Sequence, residues 1–255
     1  MQQLTIVKAG GKIVENPELL AEFLKDFSLI AGDKILVHGG GSSATILAEK
    51  LGLETKMTEG RRITDRKMLK VVTMVYAGWI NKNIVAQLQK MGIDAIGLTG
   101  ADMNLILSEK RPVKEIDYGF VGDVKSVNAS ALLDILKQNY LPVIAPLTHD
   151  GTGNLLNTNA DTIAAETAKA LAFDYNVRLI YCFEKRGVLM NEADEESLIP
   201  NLDFELFRQY KDEGVIQGGM IPKLDNAFRA IASGVKEVII TCASDVNKGK
   251  GTFIR

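Results

Sequence analysis

Short runs of consecutive apolar residues, such as residues 4–7 and 35–37, alternate along the chain with segments whose apolar residues recur every three or four positions. The runs are typical of strands buried on both faces, and the wider spacing is typical of amphipathic helices. This alternation predicts an α/β fold with a mainly parallel sheet that is covered on both faces. The longest helical pattern begins at Thr64, and its predicted apolar face consists of Met68, Leu69, Val72, Val75, Tyr76, Trp79 and Ile80.

Two glycine clusters follow predicted strands, namely Gly10-Gly11 and Gly39-Gly40-Gly41. Glycine lets the backbone approach a ligand closely, and the free N–H groups at a helix start attract an anion. Each cluster alone is also typical of a tight turn. Two clusters in consecutive strand–loop–helix units, the first preceded by Lys8, favour an anion site. His38, beside the second cluster, is a candidate base or a structural histidine at a strand end.

Further polar residues that suit an anionic ligand are spread along the rest of the chain. Arg62 precedes the long helix, and its guanidinium group could hold a carboxylate. Asn157, Asn159 and Asp161 stand at a predicted junction of turn and helix, where Asn159 or Asp161 could equally be a plain helix cap. Lys223 begins a helix after a glycine turn.

Composition and charge exclude several classes of protein. The 255 residues include 30 Lys+Arg and 32 Asp+Glu, and a net charge of -2 argues against nucleic-acid or membrane binding. The longest uncharged apolar stretch, residues 71–80, is shorter than the ~20 residues of a membrane span. The two cysteines, Cys182 and Cys242, follow strand-like runs and indicate buried thiols in a reducing, cytoplasmic compartment. Two histidines and two cysteines make a zinc site built by the protein improbable.

A dinucleotide site is the first alternative to consider. Residues 39–44 match the loose pattern G-x-G-x-x-A, which by itself is a weak signal. A Rossmann fold also requires an acidic residue at the end of the next strand. Glu59 has the spacing but follows no predicted strand, so the sequence disfavours NAD. The sequence also contains no Walker P-loop and no protein-kinase motif set.

Taken in order, the motifs of the chain resemble those of the acetylglutamate kinases, within the amino acid kinase superfamily. The resemblance covers residues 4–254. The matching motifs are Lys8-Ala9-Gly10-Gly11, His38-Gly39-Gly40-Gly41, Gly60-Arg61-Arg62-Ile63-Thr64, Gly78-Trp79-Ile80-Asn81-Lys82, Gly97-Leu98-Thr99-Gly100-Ala101-Asp102, Gly119-Phe120-Val121-Gly122, Asn157-Thr158-Asn159-Ala160-Asp161 and Gly218-Gly219-Met220-Ile221-Pro222-Lys223.

This resemblance implies a three-layer αβα sandwich and an enzyme that uses ATP and Mg²⁺. The implied reaction phosphorylates the side-chain carboxylate of an N-acyl-L-glutamate, N-acetyl-L-glutamate by default, in the biosynthesis of arginine and ornithine. Residues 1–160 would hold the acyl amino acid and the interface of a homodimer, and residues 161–255 would hold ATP, on one continuous sheet. Mg²⁺ would be held mainly by phosphates and water, as is usual for this ion, so no protein ligand is expected.

The resemblance also implies roles for the phosphoryl-transfer residues. Lys8 and Lys223 would steady the transferring phosphoryl group, and Asp161 would orient both lysines. Gly11 and Gly40 would donate backbone hydrogen bonds to the phosphoryl oxygens.

For the substrates, the resemblance implies two further sets of residues. The acylglutamate would contact Gly40, Gly41, Arg62 and Asn157, with Asn159 beside them. ATP would contact Gly10, Glu184 and Gly187 in addition to Lys8, Gly11 and Lys223. Relatives often carry an aspartate followed by a small residue in the ATP loop, whereas this chain has Phe183-Glu184-Lys185-Arg186-Gly187.

Several alternatives remain open at this stage. The acyl group could be succinyl rather than acetyl. Another substrate of the superfamily, such as carbamate, aspartate, glutamate or a nucleoside monophosphate, could replace the acylglutamate. The fold could also serve as a non-catalytic, nucleotide-binding regulatory module, although both lysines and Asp161 are present.

Overall fold

The structure is a computed structural model that describes residues 1–58, 61–191 and 193–255. The strands of the described residues alternate with helices along much of the chain. They are β1 (Gln3–Ala9), β2 (Asp33–His38), β3 (Met57–Thr58), β4 (Arg61–Arg62), β5 (Ala95–Leu98), β6 (Ile106–Lys110), β7 (Gly122–Val127), β8 (Leu141–Ile144), β9 (Leu147–His149), β10 (Leu155–Asn157), β11 (Asn176–Phe183), β12 (Asn201–Leu202), β13 (Glu237–Cys242) and β14 (Thr252–Ile254).

Helices connect most of these strands. The α-helices are α1 (Gly11–Glu15), α2 (Pro17–Ser28), α3 (Gly41–Lys50), α4 (Arg66–Thr73), α5 (Asn81–Lys90), α6 (Ala129–Lys137), α7 (Ala160–Leu171), α8 (Phe204–Asp212) and α9 (Met220–Ala232). A π-helical segment, Met74–Ile80, joins α4 to α5 without a break. No helix of the described residues is long and apolar enough to cross a membrane.

An eight-stranded sheet with the order β12-β14-β13-β11-β1-β2-β8-β5 forms the middle layer. All neighbouring strands from β13 to β5 are parallel, and only β14 runs antiparallel to β13. Side chains alternate between the faces of β1, so that Leu4 and Ile6 join one apolar cluster and Val7 and Ala9 join the other. Helices cover both clusters, which confirms the predicted αβα sandwich with a mainly parallel sheet.

A smaller sheet with the order β10-β9-β6-β7 lies beside the main one. Strands β9 and β10 form an antiparallel hairpin, as the turn-rich sequence of residues 149–159 predicts. Strand β7 pairs antiparallel with β6, and β6 pairs parallel with β9. This sheet supports the polar residues that follow β10.

The long helix departs from its predicted boundaries and face. Asp65, rather than Thr64, caps α4, because its side chain accepts a hydrogen bond from the N–H of Met68 at 2.7 Å. Trp79 was predicted on the apolar face, yet its side chain is 73% exposed. The π-helical segment has wider turns than an α-helix, so the spacing of 3.6 residues no longer predicts which side chains face the core.

Strand β5 is an edge of the main sheet, and side chains from α5 cover its outer carbonyls. The carbonyls of Asp94 and Leu98 accept hydrogen bonds from the segment around β8. The carbonyls of Ala95 and Gly97, which alternate with them, accept hydrogen bonds from Gln89 Nε2 at 3.2 Å and Lys82 Nζ at 2.9 Å. These two outer carbonyls of the edge strand are therefore satisfied within one chain.

Candidate active site

The two glycine clusters meet at the carboxyl edge of the main sheet. Ala9 ends β1 and pairs with His38 at the end of β2 and with Cys182 near the end of β11. Gly10 continues the ladder by donating its N–H to the carbonyl of Cys182 at 2.9 Å, and Gly39 donates to the carbonyl of Ala9 at 3.0 Å. The loops that follow β1 and β2 therefore lie side by side, where parallel sheets bind ligands.

The backbone N–H groups of Gly11, Gly40, Gly41 and Ser42 form what we call the amide cradle. A Cβ atom built on Gly11 would lie 3.6 Å from the nitrogen of Gly40 and 3.7 Å from that of Gly41. No acceptor for these four N–H groups occurs among the described residues. Unpaired N–H groups gathered at the start of a helix suit an anion, since each carries a partial positive charge.

Gly40 satisfies two constraints that only glycine meets. Its φ is +148°, a backbone conformation that side chains disfavour. A Cβ at this position would lie 2.2 Å from Cδ1 of Ile80 and 3.3 Å from Cδ1 of Tyr76, both in the π-helical segment. The second glycine loop is therefore packed directly against that segment.

The chain places both predicted lysines around one aromatic ring. Lys8 Nζ lies 4.8 Å from the ring centroid of Phe183, and Lys223 Nζ lies 4.6 Å from the same centroid. The two nitrogens are therefore less than about 10 Å apart. Residues from opposite ends of the sequence thus meet at one place, as the resemblance implies.

Asp161, in the first turn of α7, is the acidic partner of Lys8. Its Oδ1 lies 2.8 Å from Nζ of Lys8, and the side chains of both residues are largely buried. The Tyr181 hydroxyl donates a hydrogen bond to the backbone carbonyl of Asp161 at 3.2 Å. Burial, with a smaller contribution from Asp161, raises the pKa of Tyr181, so the hydroxyl keeps its proton and remains a donor. Burial lowers the pKa of Lys223, whereas the charge of Asp161 opposes that change.

Arg62 reaches from β4 to the start of α3. Its Nη2 donates hydrogen bonds to the carbonyl of Gly41 at 2.7 Å and to Oγ1 of Thr45 at 2.8 Å. Its Nε is buried and has no partner among the described residues. A buried, unpaired N–H is costly. Arg62 also lines the adjoining cavity, where a guanidinium group suits an anionic ligand.

That cavity has a volume of about 470 Å³ and collects the residues predicted to bind the acylglutamate. Gly40, Gly41, Arg62, Asn157 and Asn159 all line it. A smaller cavity of about 240 Å³ adjoins Gly11 and collects most of the predicted phosphoryl-transfer and ATP residues. Its lining includes Lys8, Gly10, Gly11, Asp161, Glu184 and Lys223.

The two asparagines serve the local structure as well. Asn157 Nδ2 donates a hydrogen bond to Oγ1 of Thr64 at 3.0 Å, which fixes its amide at the cavity wall. Asn159 caps α7, because its Oδ1 accepts a hydrogen bond from the N–H of Thr162 at 3.0 Å. The plain helix cap is therefore present, and a role of Asn159 in binding stays a prediction.

The predicted ATP loop is divided between two environments. Glu184 forms an exposed ion pair with Lys12, at 2.7 Å, across the mouth of the smaller cavity. Gly187 is buried, and a Cβ there would lie 2.6 Å from Oγ1 of Thr252 on β14. Gly187 lines neither cavity, so its contact with ATP has no geometric support. Glu59 and Gly60 lie outside the described residues.

His38 is a structural histidine rather than an exposed base. Its Nδ1 lies 2.7 Å from the carbonyl of Gly39, and its Nε2 lies 3.2 Å from Nδ2 of Asn81. A carbonyl only accepts, so Nδ1 carries the proton and Nε2 accepts from Asn81, whose amide also donates to the carbonyl of Val143 at 2.9 Å. Burial lowers the pKa of His38 to about 4, so the ring is neutral at pH 7.

Sequence reasoning missed several residues of the site. The resemblance implies that the stretch from Arg111 to Asp117 flanks the acyl-group region, and Arg111 does line the larger cavity. Its ion-pair partner in the cavity wall, Asp123, was missed. Glu15 contacts the start of α3, and Asn81 contacts His38. Phe183 was noted only as a departure from relatives, although its place at the end of β11, beside the first glycine loop, is the signal that would have found it.

The comparisons with known proteins agree with this geometry. A model of the amino acid kinase family matches residues 3–242, and the chain therefore belongs to that family. The acetylglutamate kinases of Parabacteroides distasonis and Phocaeicola vulgatus are each 62% identical over 254 residues; these alignments cover 100% of this chain and 100% and 99% of the two relatives. A solved structure from Streptococcus mutans UA159 is similar with a TM-score of 0.81 at 26% identity, covering 98% of both chains.

Proposed function

We propose that this chain transfers the γ-phosphoryl group of ATP to the side-chain carboxylate of N-acetyl-L-glutamate, a step in arginine biosynthesis. The observation that carries the proposal is the amide cradle, which is flanked by Lys8 and Lys223 and opens beside the cavity of Arg62. Two relatives with 62% identity over their full length are named acetylglutamate kinase.

The chemistry needs charge stabilisation more than proton transfer. A glutamate side chain has a pKa near ~4.3 and is already ionised at neutral pH, so it attacks without a general base. One carboxylate oxygen forms a bond to the γ-phosphorus as the bond to the β–γ bridging oxygen breaks, and ADP leaves with that electron pair. The obstacle is repulsion between two anions. Lys8, Lys223 and the amide cradle offset that repulsion by positioning and charge.

Two side chains of the larger cavity suit the acyl amino acid. Arg62 lines the cavity with its guanidinium group, and Asn157 presents an amide that Thr64 holds in place. A carboxylate and an amide carbonyl are the acceptors that such donors favour. The acylglutamate would bind here with its side chain directed toward the amide cradle.

ATP would bind on the opposite side of the amide cradle, against Gly10, Lys8 and Lys223, with Glu184 at the mouth of the cavity. Mg²⁺ would bind with ATP and neutralise charge on the phosphate oxygens. Across the described residues, no group of three or more His, Cys, Asp or Glu side chains is arranged to hold a metal ion. We propose phosphates and water as the main ligands of Mg²⁺, as is usual for this ion.

The two substrates would bind to different parts of the chain. We propose that residues 1–160 form the acylglutamate-binding and dimerisation lobe and residues 161–255 the ATP-binding lobe of one continuous sheet.

A homodimer is supported by Met74 and Trp79 of the π-helical segment, whose large apolar side chains are 52% and 73% exposed. A cytoplasmic location is supported by two buried, free cysteines. Light scattering of the native protein and of Trp79→Glu tests the dimer.

A coupled assay for ADP tests the function directly. Purified protein with MgATP is offered N-acetyl-L-glutamate, N-succinyl-L-glutamate, glutamate, aspartate and carbamate in parallel. We expect the highest kcat/KM with N-acetyl-L-glutamate. Turnover of none of these carboxylates, with ATP still bound, would instead favour a non-catalytic nucleotide-binding module.

A further inference from the structure

One acidic side chain ties together the helices that follow the two glycine loops. Glu15 is the last residue of α1, which begins at Gly11 in the first loop. Its Oε1 accepts a hydrogen bond from the backbone N–H of Ser43 at 2.7 Å. Ser43 is the third residue of α3, which follows the second loop. The hydrogen bond therefore spans the two backbone segments that form the amide cradle.

Helix α3 needs this contact because it lacks a cap of its own. The N–H groups in the first turn of a helix have no partner within the helix, and a Ser, Thr, Asn or Asp side chain usually accepts one of them. The cap residue of α3 is Gly40, which has no side chain to offer. A larger residue is excluded there by its φ of +148° and by Ile80.

Glu15 caps only one of the N–H groups in the first turn of α3. It occupies the N–H of Ser43 and leaves the N–H groups of Gly41 and Ser42 without an acceptor in the described structure. Glu15 Oε2 lies 3.7 Å from the position that a Cβ on Gly11 would take, which is also the point near the nitrogens of Gly40 and Gly41. The carboxylate thus borders the amide cradle without closing it.

We infer that Glu15 is a positioning residue for phosphoryl transfer, and this inference rests on the proposed function. The hydrogen bond to Ser43 fixes the distance between Gly11 in one loop and Gly40 in the other. Glu15 lines neither the acylglutamate cavity nor the smaller one. Its loss should therefore alter the geometry of the reacting group, and hence kcat, more than the binding of either substrate.

Three variants separate this role from a general effect on folding. Glu15→Ala removes the acceptor, whereas Glu15→Gln keeps an oxygen that can accept the N–H of Ser43 and removes only the charge. Glu22→Ala is the matched control, because Glu22 is an exposed glutamate in the neighbouring helix α2. Glu15→Asp, one methylene shorter, replaces Glu15→Ala should the latter not fold.

We expect Glu15→Ala to lower kcat about tenfold, because small misplacements of reacting groups have large effects on rate. The KM values for ATP and for N-acetyl-L-glutamate should change less than about threefold. Glu15→Gln should recover most of the lost kcat, and Glu22→Ala should match the native protein. The amide resonance of Ser43 in a ¹H–¹⁵N spectrum should move upfield in Glu15→Ala and much less in Glu15→Gln.

Each contrary outcome is decisive. An unchanged kcat in Glu15→Ala overturns the inference, as does an equal loss in Glu15→Ala and Glu15→Gln, which would assign the effect to charge. An unmoved Ser43 resonance also overturns it. If the native protein turns over no acylglutamate while the Ser43 resonance shifts as expected, the proposed function fails and the hydrogen bond stands.

Discussion

Lys8 and Lys223 each place an ammonium group beside the ring of Phe183, yet the surroundings of the two side chains differ. Lys8 is 7% exposed, sits in the middle of the sheet and forms an ion pair with Asp161 at 2.8 Å. Lys223 lies in the first turn of α9 and forms no ion pair with any described residue. Apart from the Phe183 ring, it contacts the carbonyl of Gly219, at 3.4 Å. The side of the site formed by β1 and β2 is thus prearranged by contacts within the chain. We propose that an anionic ligand bound by Lys223 completes the side formed by α9.

Removing Lys8 should have the largest effect. We expect Lys8→Ala to lower kcat about a hundredfold, because a well-placed cation near developing charge is lost. It should also lower the free energy of unfolding by about 3 kcal/mol, since the buried carboxylate of Asp161 is left without its partner. Steady-state kinetics and urea unfolding measure both effects.

A double variant sharpens this prediction. Removing Asp161 as well should restore part of the unfolding free energy, because no buried charge remains unpaired, while kcat stays low. Lys25→Ala, an exposed lysine in α2, is the control. A Lys8→Ala protein with native kcat would show that the prearranged side of the site is not catalytic.

A methyl group on Gly40 should have the next largest effect. Gly40→Ala introduces a Cβ 2.2 Å from Ile80 Cδ1 at a φ of +148°, so the second loop must move. We expect kcat to fall about thirtyfold as the amide cradle is displaced. Gly52→Ala is the matched control, because Gly52 also has a positive φ but has nothing within 4 Å of its Cβ position. Equal kinetics in the two variants would contradict the prediction.

Removing Lys223 should lower activity without destabilising the protein. We expect Lys223→Ala to lower kcat about tenfold, because one of the two cations beside the transferring group is lost. Its unfolding free energy should stay within about 0.5 kcal/mol of the native value, because no ion pair is broken. A stability loss as large as that of Lys8→Ala would remove the contrast between the two lysines.

Arg62 should affect substrate binding rather than turnover. We expect Arg62→Ala to raise the KM for N-acetyl-L-glutamate about tenfold, which corresponds to the loss of one charged hydrogen bond. The KM for ATP should change little. Arg208→Ala, at an exposed position of α8, is the control. A change confined to the KM for ATP would contradict this prediction, because it would place Arg62 on the ATP side of the site.

His38 should have the smallest effect at neutral pH, and its contribution becomes visible only in acid. Its pKa is about 4 in the folded protein against 6.5 for an ordinary histidine, so the unfolded chain binds more protons between those values. Folding stability should therefore fall as the pH decreases through that window, by about 2 kcal/mol between pH 7 and pH 5. Urea unfolding at both pH values should show a smaller difference in His38→Gln. An identical difference would mean that His38 is not buried as a neutral ring.

Much of this site could be predicted because apolar runs in the sequence show where the buried strands end. Lys8, Gly11 and Gly40 follow apolar runs, and parallel strands bring their carboxyl ends together. The Glu15 contact could not be read in this way, because it depends on the angle between α1 and α3. The exposure of Trp79 was predicted wrongly, since a π-helical segment leaves no mark in the spacing of apolar residues. Gly187 was assigned from a motif, whereas the structure places it against Thr252.

The covered carbonyls at the edge of β5 have a consequence for how the folded protein meets other chains. A sheet edge with open carbonyls is a template on which other unfolded chains can pair. Lys82 and Gln89 occupy two carbonyls of that template with their own side chains. Unfolded chains therefore find fewer open carbonyls to pair with at this edge of the folded protein.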